Sequence, residues 1–189
     1  MSTTHSFWLW TSYWLEVKAR KFDNAFRLLK NSNDNWMKNK LYVRPKALLR
    51  AFIYDFQNRT EQAHAAYDSA RISLEQELAK NIDDPRYHSS LGVTYAGLGR
   101  KKEAIREGLK AVELLPVTKD AVYGSMFLMD LAAIYAMTSE YELAWEQIDF
   151  LLAIPSPLSK AWLEMDIRFK GLYNDPKFNN LSEKYSEGI

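Results

Sequence analysis

Four alanines that recur at nearly constant spacing constrain the fold of this chain more than any other feature of its sequence. They are 38, 41 and 40 residues apart, at Ala25, Ala63, Ala104 and Ala144. A tyrosine precedes each of the last three alanines, and a small residue precedes each tyrosine. These positions are Tyr54, Tyr95 and Tyr135, with Ala51, Gly92 and Ala132. A period of about 40 residues predicts stacked repeat units.

The repeated residues predict an αα-hairpin in each unit. The small residue lets a neighbouring helix approach, and the aromatic residue one turn later fills the space beside it. A polar turn then reverses the chain, and in the third unit Gly99 is predicted to cap the first helix. One hairpin cannot bury its apolar stripe alone, so the units must stack. The predicted hairpins cover residues 7–31, 43–80, 85–116 and 119–154, followed by a C-terminal cap at 158–185.

Local signals refine these bounds. The stretch Asn31–Asn39 is predicted to be a loop because Asn, Asp and Ser compete with helix formation. Thr60 is predicted to be the N-cap of the longest helix. After Pro155 the pattern weakens to short helical pieces near 159–164 and 176–184, with Trp162, Phe169, Tyr173 and Phe178 as packing residues.

The third unit, LGVTYAGLGRKKEAIREGLKAVELLP, resembles the tetratricopeptide repeat. Its matching positions are Leu91, Gly92, Tyr95, Ala104, Ala111 and Pro116, whereas Gly108 stands where that motif has a bulky residue. The second and fourth units match in part. The first does not, because Ser12, Tyr13 and Glu16 occupy the large, small and aromatic sites. The resemblance implies an all-α, right-handed superhelix of about four antiparallel hairpins with a short C-terminal cap.

The tail adds a second resemblance. Leu114–Val122 and Leu151–Phe178 are similar to the C-terminal tetratricopeptide region of bacterial multidomain signalling proteins, which carry a cyclase, kinase or winged-helix domain upstream. This implies a bacterial protein, and an alternative in which the chain is the C-terminal part of a larger one. Such a likeness of fold carries little functional weight by itself.

Composition argues against several function classes. The formal net charge is +1, which gives no electrostatic basis for nucleic acid or an anionic membrane as a partner. The chain has no cysteine, which excludes thiol chemistry and fits a cytoplasmic location. No phosphate loop, nucleophile elbow or HExxH motif occurs, so we expect no catalytic residues, metal or cofactor. The N-terminal stretch 7–15 has no early basic residue, and we interpret it as an amphipathic helix, with an interfacial membrane helix as the alternative.

The first helices of stacked hairpins line a concave face, which predicts where a partner binds. That face is apolar with aromatic and Met anchors, so we expect an apolar or amphipathic peptide segment and a non-catalytic scaffold role. The predicted groove residues are Trp10, Trp14, Phe52, Asp55, Phe56, Arg86, Ser89, Val93, Met126, Met129 and Met137.

The sequence leaves four alternatives to an external peptide. In the first, the groove is filled by the chain's own C-terminal segment or by a second copy of the chain. The chain is a regulatory or self-association module, acting in cis or as a homodimer through the N-terminal aromatic helix. A helical-repeat enzyme would need converging titratable groups, for which only Asp55 and Arg86 are candidates. Nucleic-acid binding through helical repeats is opposed by the net charge of +1.

Overall fold

A computed structural model describes the backbone of residues 3–185 and the side chains of residues 8–181. Within this range the chain is all-α, as predicted, with one small two-stranded sheet. The α-helices are α1 (Thr3–Lys18), α2 (Phe22–Asn31), α3 (Lys46–Phe56), α4 (Thr60–Leu78), α5 (Pro85–Gly97), α6 (Lys101–Leu114), α7 (Ala121–Met137), α8 (Tyr141–Ala153), α9 (Lys160–Met165) and α10 (Pro176–Tyr185). A 3-10 helix, Ile167–Leu172, joins the last two, and the strands are β1 (Trp36–Lys38) and β2 (Val43–Pro45).

Four helical hairpins, α1–α2, α3–α4, α5–α6 and α7–α8, share one turn geometry. Each turn contains a residue of positive φ, between 53° and 71°, at Arg20, Asn58, Gly99 and Ser139. The amide that follows donates to a carbonyl five residues earlier in every case, at 2.9 Å. This is the Schellman arrangement that ends a helix, and it places Gly99 just beyond the C-cap residue Leu98. The positive-φ residues have the same spacing as the four alanines, all of which are buried.

The first hairpin therefore shares the turn geometry of the others, although its sequence lacks their large, small and aromatic pattern. Its turn amide, on Lys21, donates to the Glu16 carbonyl, where the other units use the carbonyl of Tyr54, Tyr95 or Tyr135. The Schellman turn uses the backbone of this residue, so the aromatic ring is not required for it.

The region between α2 and α3 corrects two predictions. The expected loop at Asn31–Asn39 contains β1, which pairs antiparallel with β2. The side chain of Asn39 builds the connecting turn by accepting from the amides of Leu41 and Tyr42, at 2.7 and 2.9 Å. Because β2 takes up the extended residues Val43–Pro45, the next helix begins at Lys46 and not at residue 43.

Thr60 is the first residue of α4 and not its N-cap. The N-cap position belongs to Arg59, whose side chain makes no capping hydrogen bond. The second helices of the other hairpins also begin without a side-chain cap. The Schellman turn before each helix fixes the chain direction, so a capping side chain is not needed to start it.

Close helix contacts stack the third and fourth hairpins. A Cβ atom at Gly92 would lie 2.7 Å from Ile134 Cδ1 and 3.0 Å from the Ala104 carbonyl oxygen. A Cβ atom at Gly108 would lie 2.8 Å from the same Ile134 atom. Gly108, which departs from the tetratricopeptide pattern, therefore makes room for α7 where it crosses α5 and α6.

The C-terminal residues fold back over the hairpins. Residues 158–172, which we call the closing segment, contain α9 and the 3-10 helix and contact α3 and α7. Beyond them α10 packs on α8, where Phe178 meets the Trp145 ring and Asp175 accepts from its indole N–H at 2.8 Å. Among the described residues, none of the helices is both long and apolar enough to cross a membrane.

Candidate functional site

A buried cluster of charged side chains holds the closing segment against the first helices. Asp130, on α7, accepts hydrogen bonds from Arg44 on β2 and from Arg168 on the 3-10 helix, the latter at 2.6 Å. Arg168 also donates to Asp166, from Nε at 2.9 Å and from Nη2 at 2.5 Å. All four side chains are buried, with 0–7% of each exposed. We call Arg44, Asp130, Asp166 and Arg168 the ion network.

Two serines on α5 complete the hydrogen bonding of the ion network. Ser89 donates to Asp130, and Ser90 accepts from Arg44 Nη1 at 2.6 Å while donating to the Val43 carbonyl. Two arginines and two aspartates give the network no net charge. Burial alone would raise the pKa of Asp130, but the guanidinium groups of Arg44 and Arg168 outweigh it and hold that pKa below its usual value. The carboxylate is therefore stable in the interior only while both arginines are present.

The closing segment crosses several of the first helices. Trp162 packs against Trp14 of α1, with ring centroids 5.8 Å apart. The guanidinium of Arg168 lies 5.6 Å from the centre of the Phe52 ring of α3. Four apolar side chains of the segment are buried, namely Leu158, Leu163, Phe169 and Leu172.

The structure thus places several predicted groove residues beneath the closing segment or within the core. Five are buried, namely Trp14, Phe52, Ser89, Val93 and Met129. The other six are half-buried, namely Trp10, Asp55, Phe56, Arg86, Met126 and Met137. Of the sequence alternatives, the one in which the chain's own C-terminal segment packs on these rings agrees with the observed contacts. Binding of an external partner by these residues stays a prediction.

Open space remains at both ends of the first helices. A cavity of about 520 Å³ lies where α3, α5 and α7 end, and it includes Asp55 and Met137. A cavity of about 830 Å³ lies at the opposite ends, beside Arg86 and Phe127. A smaller one, of about 270 Å³, is lined by Trp10, Trp14 and Trp162 with other residues of α1 and α9. The predicted groove is therefore divided into separate cavities.

The outer face of α1 carries two exposed apolar side chains. Trp8 is 68% exposed and Leu15 is 61% exposed. Counted from the positive-φ residue of each turn, these positions correspond to Phe127 and Ile134 in the fourth hairpin, which are 3% and 0% exposed. Ile134 is buried against the preceding hairpin, at Gly92 and Gly108. The exposed face of α1 is therefore the face that α7 uses for stacking.

Sequence reasoning missed the ion network, although one signal pointed to it. Asp130 interrupts the apolar helix Ala121–Met137, and a charge in such a helix requires a buried partner. Its partners lie 86 and 38 residues away, at Arg44 and Arg168, and no local pattern links them. Only fold geometry could have identified the pairs.

No family model, curated protein or solved structure matches the chain. Within the part of the chain that the structure describes, no three His, Asp or Glu side chains converge as a metal site would require. The features of the described residues that bear on function are the closing segment packed on the first helices, the cavity of about 520 Å³ at their C-terminal ends and the exposed face of α1.

Proposed function

We propose that this chain is a non-catalytic, tetratricopeptide-like interaction module of the bacterial cytoplasm, and that it self-associates through the outer face of α1. The common turn geometry of the four hairpins supports the repeat assignment. One observation supports this choice of partner surface. Trp8 and Leu15 are exposed, whereas the equivalent positions of α7 are buried against the neighbouring hairpin. The apolar stacking face of a repeat unit is stable only when another unit or a partner buries it, because one unit cannot bury it alone.

The burial of the closing segment disfavours an external peptide in the concave groove. Its four buried apolar side chains contribute about 1.5–3 kcal/mol each, or about 6–12 kcal/mol together as an upper value. That sum is comparable with the whole stability of a domain, about 5–15 kcal/mol. A peptide that displaced the segment would have to replace most of this energy. We therefore place the partner surface outside the groove.

The occupant of the α1 face is a second copy of the chain. At the other end of the hairpin stack α10 already covers α8, so head-to-tail growth is opposed. Pairing of two α1 faces about a two-fold axis remains, and it covers Trp8 and Leu15 of both copies. A single 16-residue helix offers less than the roughly 800 Å² per partner of a standard interface. The dimer is therefore weak and reversible, with a Kd in the micromolar range or above.

Sedimentation equilibrium over a range of protein concentrations tests this proposal. The wild-type chain is expected to show a monomer–dimer equilibrium, and Leu15→Arg is expected to be monomeric because it places a charge in the interface. Leu109→Arg is the matched control, since Leu109 is a comparably exposed leucine, 48% exposed, on α6. A wild-type monomer at about 1 mM, or a dimer that survives Leu15→Arg, would contradict the proposal.

A further inference from the structure

The 520 Å³ cavity combines three helix C-termini with a carboxylate, Asp55, that forms no ion pair with any residue the structure describes. Its walls include the last residues of α3, α5 and α7, among them Gly97 and Met137. Helix C-termini carry partial negative charge, and three together favour a cation. The volume lies within the range of small-molecule sites, about 300–1,000 Å³.

Asp55 gives the cavity its negative charge. Its Oδ2 accepts a hydrogen bond from Tyr67 Oη at 2.6 Å, and among the described residues it makes no ion pair. Burial raises the pKa of Asp55 above its usual value, although the Tyr67 hydrogen bond and the charge of Lys170 oppose that rise. The negative charge of this carboxylate is therefore under-compensated, and an ammonium group beside it would be stabilised.

The closing segment supplies a positive charge on the same cavity. Lys170 Nζ donates to Asn58 Oδ1 at 3.0 Å and forms no ion pair among the described residues. Arg168 also lines the cavity, but its donors are engaged by Asp130 and Asp166. Lys170 is therefore the cation that is available to an incoming carboxylate.

The remaining wall is partly apolar and partly polar. Ala96, Met137 and Ile167 offer apolar contact. The side chains of Thr60 and Asn174 make no hydrogen bond within the described structure and remain available to a ligand. The cavity thus offers an anion, a cation and an apolar surface within one small volume.

We propose that this cavity binds a small zwitterion, of the class of an amino acid with an apolar side chain. The ammonium group pairs with Asp55 at the helix C-termini, the carboxylate pairs with Lys170, and the side chain packs on Met137 and Ile167. Binding joins the closing segment to the hairpin ends, because one ligand touches both. This proposal does not depend on self-association through α1.

Isothermal titration with three probes of similar shape tests the assignment. L-Leucine carries both charges, isoamylamine only the ammonium, and isocaproate only the carboxylate. Leucine is expected to bind about ten-fold or more tightly than either single-charge probe, since each loses one charge-assisted hydrogen bond. No leucine binding up to about 10 mM, or isoamylamine binding as tightly as leucine, would overturn the proposal.

Two variants assign the charges to residues. Asp55→Asn keeps the shape and the acceptor for Tyr67, and is expected to weaken leucine binding about ten-fold or more without weakening isocaproate binding. Lys170→Met is expected to weaken the binding of leucine and isocaproate and not to weaken the binding of isoamylamine. Asp23→Asn and Lys119→Met are the matched controls, because both side chains are exposed and lie outside the cavity. Leucine affinity that is unchanged by both cavity variants would place the ligand elsewhere and refute the site.

Discussion

Replacement of Asp130 by asparagine removes one charge from the ion network while preserving the shape of the side chain. In the wild-type chain this carboxylate lies between the guanidinium groups of Arg44 and Arg168, and it also accepts from Ser89. The asparagine oxygen can serve one arginine, but its NH₂ group then faces the other. The variant therefore leaves a net charge of +1 in a buried site.

The structure sets the expected magnitude. Asp130 and both arginine side chains are no more than 7% exposed, so water does not compensate the lost carboxylate. Removal of one partner from a buried ion pair costs about 3–5 kcal/mol. The free energy of unfolding of a domain is about 5–15 kcal/mol, so Asp130→Asn is expected to remove a large part of it. Combination with Arg44→Met restores the charge balance and is expected to recover part of the loss.

Urea denaturation followed by far-UV circular dichroism measures this change. The control is Glu142→Gln, which removes the carboxylate of a solvent-exposed pair with Lys177 and is expected to leave the urea midpoint unchanged. A loss for Asp130→Asn below about 1 kcal/mol would refute the reasoning, because the network would then behave like a surface ion pair.

Asp130→Asn also changes how the free energy of unfolding falls at acidic pH. The pKa of Asp130 is lower in the folded chain than its unfolded value of about 3.9. Its contribution is therefore complete above that value and is lost as the pH falls through the folded pKa. Asp130→Asn is expected to remove this part of the acid sensitivity, and an unchanged acid limb would contradict the pKa assignment.

Two further predictions concern α5. Burial lowers the pKa of His88, but its hydrogen bonds to Glu107 at 2.7 Å and to the Ile82 carbonyl at 2.8 Å outweigh this and raise the pKa. The stabilisation of the folded state by protonated His88 should be complete below about pH 6.5 and should be lost as the pH rises through the folded pKa. The melting temperature of His88→Gln should therefore depend less on pH than that of the wild-type chain. Gly92→Ala should lower stability by about 1–3 kcal/mol in urea denaturation, because its Cβ clashes with α7 and with the α6 backbone. Gly99→Asn is its control and should change little, since Asn58 adopts the same positive φ in the second hairpin and no atom lies within 4 Å of a Cβ there.

The sequence predicted the hairpins because their determinants are local. Each turn follows from residues close together in the chain, and the third hairpin begins at residue 85 as predicted. Pro85 and Asp84 illustrate this, since the proline opens α5 and the aspartate caps it by accepting from the Arg86 amide. Even the first hairpin could be assigned from Ala25, although its other repeat positions had diverged.

The contacts inside the predicted groove did not follow from the sequence, because they join residues that are far apart in the chain. Arg44 lies in a segment whose strand pairing depends on the side chain of Asn39, and Arg168 lies in a 3-10 helix that no periodicity marks. Residues such as Phe52 and Met129 have the same apolar character whether they bind a partner or their own chain. Sequence pattern identified the apolar face but not what covers it.

The closing segment has a consequence for the order of events during synthesis. It comes from the last part of the described chain, whereas the helices it covers emerge from the ribosome earlier. Until residues 158–172 are free to dock, Asp130 lacks Arg168, and the Trp14 and Phe52 rings lack their contacts with Trp162 and Arg168. Exposed apolar surface of this kind makes folding intermediates prone to aggregation. The nascent chain is therefore most prone to aggregation before the closing segment has emerged and docked.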